Sequence, residues 1–178
     1  AGLMFVRRTG FALALTAIDK INRNIVNAFE DGTNKQARSE MSMASMTAGM
    51  AFPNAGLGAV HGLTAPLGGH FGIPHGIANA IMLAFVMQFN RQSCAEKYTR
   101  LAHIMNCTEK SPQAAIDRIF ELRRQLNIPV LSSFGVTEKD ISILAKDALG
   151  PNSNCNSNPR KVTEDDAKQI FHDALNES

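Results

Sequence analysis

The chain has no tryptophan, only one tyrosine, and three cysteines among 178 residues. Its basic residues are scattered, with no run denser than the pairs Arg7-Arg8 and Arg123-Arg124. That excludes both a base-stacking platform and an electrostatic stripe, so no nucleic-acid partner is expected. Cys94, Cys107 and Cys155 are odd in number and contain no C-x-x-C pair. They read as free thiols in a reducing compartment, which makes the cytoplasm the expected location. Long apolar runs are lacking too. The most apolar stretch, Ile77 to Phe89, is interrupted by Asn79 and Gln88 and falls short of the roughly twenty residues a bilayer span needs. It reads as a buried helix, and no membrane association is expected. Arg7 and Arg8 have no charged segment before them and no clear cleavage site after them, so no signal peptide is expected.

What is present fits one ordinary globular domain: 44% of the residues are apolar and 19% charged. A chain of this length buries roughly 70% of the surface its unfolded form exposes, so neither disulfides nor a structural metal is needed. Phe11, Leu15, Ile18, Ile21, Ile25 and Phe29 recur at three- and four-residue steps, the stripe of an amphipathic helix ending before Asp31-Gly32. A second helix is expected from about Lys35 to Gly49, where Met41, Met43, Met46 and Met50 read as flexible core filler. Another amphipathic piece lies between Gln92 and Met105. Three further helices announce their starts at Ser111-Pro112, at Thr137-Glu-Lys-Asp140 and at Thr163-Glu-Asp-Asp166. Gly150 to Arg160, rich in Asn and Pro, reads as a loop. No strand pattern and no internal repeat competes, so the expected architecture is all-α, with about seven or eight helices.

Pro53 to Gly76 stands apart, with seven glycines, three prolines and three of the five histidines: His61, His70 and His75. Such glycines permit close backbone approach, and Pro74 is suited to open a helix with His75 at its start. Neutral imidazole is a common ligand for zinc and iron. His61 and His75, fourteen apart and separated by a turn, meet if two helices cross or run antiparallel. Spacing alone leaves two readings open, a pair of metal ligands or two satisfied polar residues near helix ends. His70 has no partner assigned by pattern, and His103 and His172 read as structural or solvated. Gly56-Leu-Gly58 lacks the third glycine and the flanking strand of a dinucleotide fingerprint, and no P-loop, nucleophile elbow or catalytic triad is present.

The run from Gly49 through Met-Ala-Phe-Pro-Asn-Ala-Gly-Leu-Gly-Ala-Val to His61 is distinctive. So are Pro66-Leu-Gly-Gly, Pro74-His75-Gly76, Ala78-Asn79-Ala80, Asn127-Ile-Pro, Gly135-Val and Asn158-Pro-Arg160. Together they resemble the C-terminal helical domain of the iron-containing (group III) alcohol dehydrogenases, a dehydroquinate synthase-like fold. The resemblance implies an NAD(P)-linked, Fe(II)-dependent alcohol dehydrogenase that interconverts small alcohols with aldehydes or ketones and works as a homodimer; zinc is also compatible with such ligands. It implies that residues 1–178 form the helical metal-binding domain, and that the nucleotide-binding domain precedes them. His61 and His75 correspond to the last two of the family's four metal ligands. The first two, an Asp and a His on a helix, would lie just before the chain begins. Phe52 and Leu57 match positions lining the cofactor and substrate pocket. Ala65 stands where the family commonly carries a histidine near the nicotinamide, which leaves the catalytic residue unknown. Asn154, with Cys155 beside it, stands where a cysteine is often found. The alternative from another class is a non-catalytic helical module with an incomplete metal site.

Overall fold

The computed structural model describes residues 2–52 and 57–177, with side chains from residue 10 onward. Pro53 to Gly56 and the Arg7-Arg8 side chains lie outside that description. Among the described residues there are eight α-helices and no strand: α1 (Gly2–Glu30), α2 (Lys35–Ala51), α3 (Gly58–Phe71), α4 (His75–Asn90), α5 (Ala95–Ile104), α6 (Pro112–Gln125), α7 (Ile141–Asp147) and α8 (Glu164–Leu175). None of these helices is long and apolar enough to cross a membrane. The chain divides into two compact units, one comprising 1–56 with 96–118 and the other 57–95 with 119–178, so that the boundary falls inside α6.

In the first unit α1 and α2 form a helical hairpin. Asp31 makes the turn by accepting hydrogen bonds from the Thr33 backbone N–H and hydroxyl, and Asn34 caps α2 by accepting from the Ala37 N–H. Lys20 pairs with Glu40 across the hairpin. On α2 the buried positions are the small ones, Ala37, Ala44, Thr47 and Ala51. This corrects the reading of the methionines as core filler: Met43, Met46 and Met50 are exposed, because the small-residue face is the one turned toward α1. Phe29, at the end of the α1 stripe, is exposed as well. Asn22 ties α1 to the end of α5 and the middle of α6, donating to the Met105 carbonyl at 3.2 Å and accepting from Arg118 Nε at 3.0 Å.

The second unit holds the main apolar core, where Leu63, Leu67, Ile81, Met82, Leu131, Leu144, Ile170 and Phe171 pack together from α3, α4, α7, α8 and the 3₁₀ turn Leu131–Phe134. Both expected capping boxes form: Thr137 with Asp140, and Thr163 with Asp166. The Asn-rich segment is more ordered than its composition predicts, since Asn154–Ser157 makes a 3₁₀ turn that packs on α3. Arg123 is 5% exposed. Its guanidinium lies over the Phe85 and Phe120 rings and pairs with Glu177 at 2.6 Å.

Candidate metal centre

Most of the described part of the glycine-rich stretch is helix. Only Gly58, at the start of α3, and Gly72, just past its end, take left-handed φ values (+67° and +63°), which an L side chain rarely adopts. Gly72 ends α3 by donating its N–H to the Gly68 carbonyl. Pro74 then stands at the cap of α4 rather than inside its first turn, and His75 is the first helical residue. Pro66 lies within α3 and has no N–H to give the Gly62 carbonyl.

Gly62 is fixed by contact. A Cβ there would fall 2.8 Å from the Cys155 backbone N, 2.9 Å from Ser153 Oγ and closer still to Cys155 Sγ. The 154–157 turn therefore seats directly on α3. Asn158 secures the start of that helix: its Oδ1 accepts from the Ala59 N–H at 3.3 Å and from Asn90 Nδ2 at 3.0 Å, while its Nδ2 donates back to Asn90 Oδ1 at 2.8 Å. Arg160 donates to the Phe89 carbonyl, lies 3.9 Å from the Phe89 ring centroid and pairs with Asp166. The Asn-Pro-Arg motif is thus a clamp joining α3, α4 and α8.

This packing brings together the two histidines singled out in the sequence. The rings of His61 on α3 and His75 on α4 have centroids 5.2 Å apart with an interplanar angle of 54°. Burial, and then the charge of His75, lowers the pKa of His61 below 6.5, while the Leu57 carbonyl one turn back acts in the opposite direction. The buried Nδ1 of His61 has no hydrogen-bond partner. His75 Nε2 lies 2.9 Å from Asn79 Nδ2, and Asn79 Oδ1 accepts from the Thr64 hydroxyl at 2.8 Å. Thr64 and Asn79 were not singled out as site residues. Asn79 falls in the Ala78-Asn79-Ala80 run of the resemblance, and spacing, three residues after His61 and four after His75, puts Thr64 and Asn79 each on its histidine's helix face.

The pair suits a divalent ion on two counts. Two imidazoles sharing one ion at about 2.0–2.1 Å bring their centroids to about 5 Å of each other, and a lowered pKa keeps the His61 lone pair available. The donor set is only part of a shell, for no third His, Cys, Asp or Glu joins it among the described residues. His70 is held elsewhere, its Nε2 2.7 Å from Asp147. His172 is exposed near Glu138 and Asp173, and His103 is exposed on α5. Leu57, at the cap of α3, and Ala65, one turn beyond His61, are both exposed. Phe52, at the cap of α2 in the other unit, is exposed too. Cys155 is buried against Gly62, and burial raises its pKa despite the Ser153 hydroxyl, so it is a packing residue. Asn154 is exposed.

Fold and site define an all-helical protein, among the described residues, in which two imidazoles face each other from adjacent helices. The chain belongs to the iron-containing alcohol dehydrogenase family, matching its C-terminal part over residues 11–175. It is 38% identical over 171 residues to alcohol dehydrogenase 4 of Schizosaccharomyces pombe, a match covering 92% of this chain and 39% of that protein. It is 40% identical over 148 residues to lactaldehyde reductase of Escherichia coli, covering 79% and 38% respectively. The crystal structure of a 1,3-propanediol oxidoreductase superposes with a TM-score of 0.88 at 39% identity, covering 93% of this chain and 45% of that one. The chain thus spans about two-fifths of the length of the curated relatives it matches.

Proposed function

We propose that the protein to which this chain belongs is an NAD(P)-linked, iron-dependent alcohol dehydrogenase acting on small alcohols and aldehydes or ketones. Residues 1–178 are its C-terminal metal-binding domain, and the nicotinamide cofactor is held mainly by a nucleotide-binding domain outside this chain. The observation that carries this reading is the His61–His75 pair, facing across α3 and α4 with the proton affinity of His61 lowered. His61 and His75 would hold Fe(II), with zinc as the chemically acceptable substitute, and the carboxylate and third imidazole expected of the family would come from outside the described residues. When bound, the ion supplies Lewis acidity toward the alcohol oxygen, favouring loss of its proton and transfer of hydride to the nicotinamide. Phe52 and Leu57 offer apolar surface to cofactor and substrate. Ala65 cannot carry a proton, so the alcohol proton leaves by a route that does not use this position. Relatives named for lactaldehyde, 1,3-propanediol and butanol set the substrate panel. A homodimer in the cytoplasm is the expected state.

The test is to purify the protein, determine bound metal, and assay NAD(P)-linked oxidation of that panel before and after chelation and reloading with Fe(II) or Zn(II). Turnover that is lost on chelation and restored by metal supports the reading. The rival, a non-catalytic helical module, draws on Ala65 and the two-donor site. It predicts neither stoichiometric metal nor turnover.

A further inference from the structure

Helix α3 has no cap of its own. Leu57, at its cap position, makes no side-chain hydrogen bond to the first turn, and the backbone N–H groups of a first turn have no partner within the helix. His61 is the fourth residue of α3, so it belongs to the turn that frays most easily. The missing partner comes from 99 positions along the chain. Ala59 is 1% exposed, which shields its N–H from water, and Asn158 Oδ1 accepts from that N–H at 3.3 Å. The 154–157 turn just before Asn158 seats on the same stretch of α3, against Gly62.

The Asn158 amide is held so that it presents this oxygen. It exchanges two bonds with the amide of Asn90, the last residue of α4 and 5% exposed: Asn90 Nδ2 donates to Asn158 Oδ1 at 3.0 Å, and Asn158 Nδ2 donates to Asn90 Oδ1 at 2.8 Å. Asn158 Nδ2 also donates to the Arg160 carbonyl at 2.6 Å. Turning the amide over would set its Nδ2 against two donors, the Ala59 N–H and Asn90 Nδ2, so one orientation is left. Through this side chain the first turn of α3, which carries His61, is bonded to α4, which carries His75. We infer that Asn158 is a positioning residue for His61: it caps α3 from outside the helix and ties that turn to α4 through Asn90, keeping the His61 ring opposite His75. The consequence for metal binding rests on the metal-site reading of the pair. With Asn158 gone, the turn and its ring have to be ordered by the ion itself, and that cost comes out of the affinity. One cap and its tie together set a loss of about tenfold.

The test uses the purified full-length protein and three variants: Asn158→Ala, Asn90→Ala and Arg160→Ala. The third is the control, because it breaks the other arm of the same motif, the contacts with Phe89 and Asp166, and leaves the bond to Ala59 in place. Hydrogen exchange of the metal-free protein, resolved to single residues by mass spectrometry, reads the first turn of α3 directly. In Asn158→Ala the amides of that turn are expected to exchange about tenfold faster, with the rest of α3 and α4 unchanged, and competition titration is expected to show about a tenfold loss of Zn(II) affinity. Asn90→Ala shifts both readouts in the same direction by a smaller step, and it carries the test if Asn158→Ala does not fold. Arg160→Ala is expected to lower the urea midpoint while both readouts stay within about threefold of the parent. Exchange that rises in step across α3 and α4 marks a residue that only packs the helices and overturns the inference. So does zinc affinity held within about threefold while the turn loosens, or an Arg160→Ala variant that matches Asn158→Ala in both readouts. A parent protein that binds no zinc defeats the metal-site reading, and the exchange comparison then judges the positioning by itself.

Discussion

Gly62→Ala and Gly69→Ala make the same chemical change in one helix and are expected to shift stability in opposite directions. Both glycines lie inside α3, where alanine is intrinsically favoured by about 1 kcal/mol. At Gly69 an added Cβ meets nothing within 4 Å, so only that gain remains. At Gly62 it meets Cys155 N at 2.8 Å and Ser153 Oγ at 2.9 Å, with Cys155 Sγ nearer still. The sulfur can swing aside, but the backbone nitrogen belongs to a 3₁₀ turn capped by Ser153, and that whole turn must move. Overpacking of this kind costs about 1–3 kcal/mol, and a backbone clash belongs at the upper end. Subtracting the helix gain leaves a loss of about 2 kcal/mol. With urea slopes of about 1–3 kcal/mol/M, the midpoint for Gly62→Ala falls by about 1 M while that for Gly69→Ala rises by a few tenths. Adding Cys155→Ala to Gly62→Ala removes the sulfur overlap but not the one with the nitrogen, so it restores part of the loss, with a coupling of about 1 kcal/mol. Urea unfolding followed by helical circular dichroism decides the matter. Two alanines that shift the midpoint the same way would refute the packing argument.

His61→Ala or His75→Ala is expected to abolish stoichiometric metal binding and activity while changing metal-free stability by about 1 kcal/mol or less; elemental analysis and thermal unfolding check it, and a variant that keeps its metal and its rate removes that ligand assignment. The pKa of His61, lowered by burial and then by His75, also predicts a pH effect: the unfolded chain takes up this proton near 6.5 before the folded one does. Stability from this group is therefore fully present above 6.5 and is lost as pH falls from there through the folded value. Urea midpoints measured between about pH 5 and 8 should fall less steeply with acid for His61→Ala than for the parent, and parallel curves count against it. Glu177→Ala leaves the buried Arg123 charge uncompensated and is expected to cost about 2 kcal/mol, whereas Arg123→Met, which fills the same space between Phe85 and Phe120 without a charge, costs less than about 1 kcal/mol. Equal losses from the two substitutions would show that the pair contributes by attraction rather than by compensating burial.

The helices were legible because their signals are local. The Thr137 and Thr163 capping boxes and Ser111-Pro112 each mark a start that the structure reproduces. The methionines of α2 were misread because periodicity says that a face exists without saying which face is buried. Ala37, Ala44, Thr47 and Ala51 carry the same period and win the contact with α1, since small side chains let two helices approach. Composition likewise marked 150–160 as a loop and could not show that it is seated. What holds it is Gly62, a residue about ninety positions earlier, whose missing side chain leaves room for Cys155.

The candidate site shows the same division. That His61 and His75 meet was conditional on two helices facing each other, and Gly72 and Pro74 supply the tight connection that makes them do so. What the pattern of histidines could not reveal is that one ring of the pair, His75, has a polar neighbour one turn away. Thr64 sits in a run that looks like ordinary core, Leu-Thr-Ala, and Asn79 in a run that marks the resemblance, Ala-Asn-Ala, without naming a role for the amide; neither bears charge. Thr64 is buried, and a buried polar group must find a partner. Thr64 finds Asn79, and Asn79, with one end so fixed, has its other end against His75. The requirement to satisfy a buried hydroxyl thereby reaches the amide beside the imidazole, so the packing of α3 on α4 and the candidate site share one hydrogen-bonded chain.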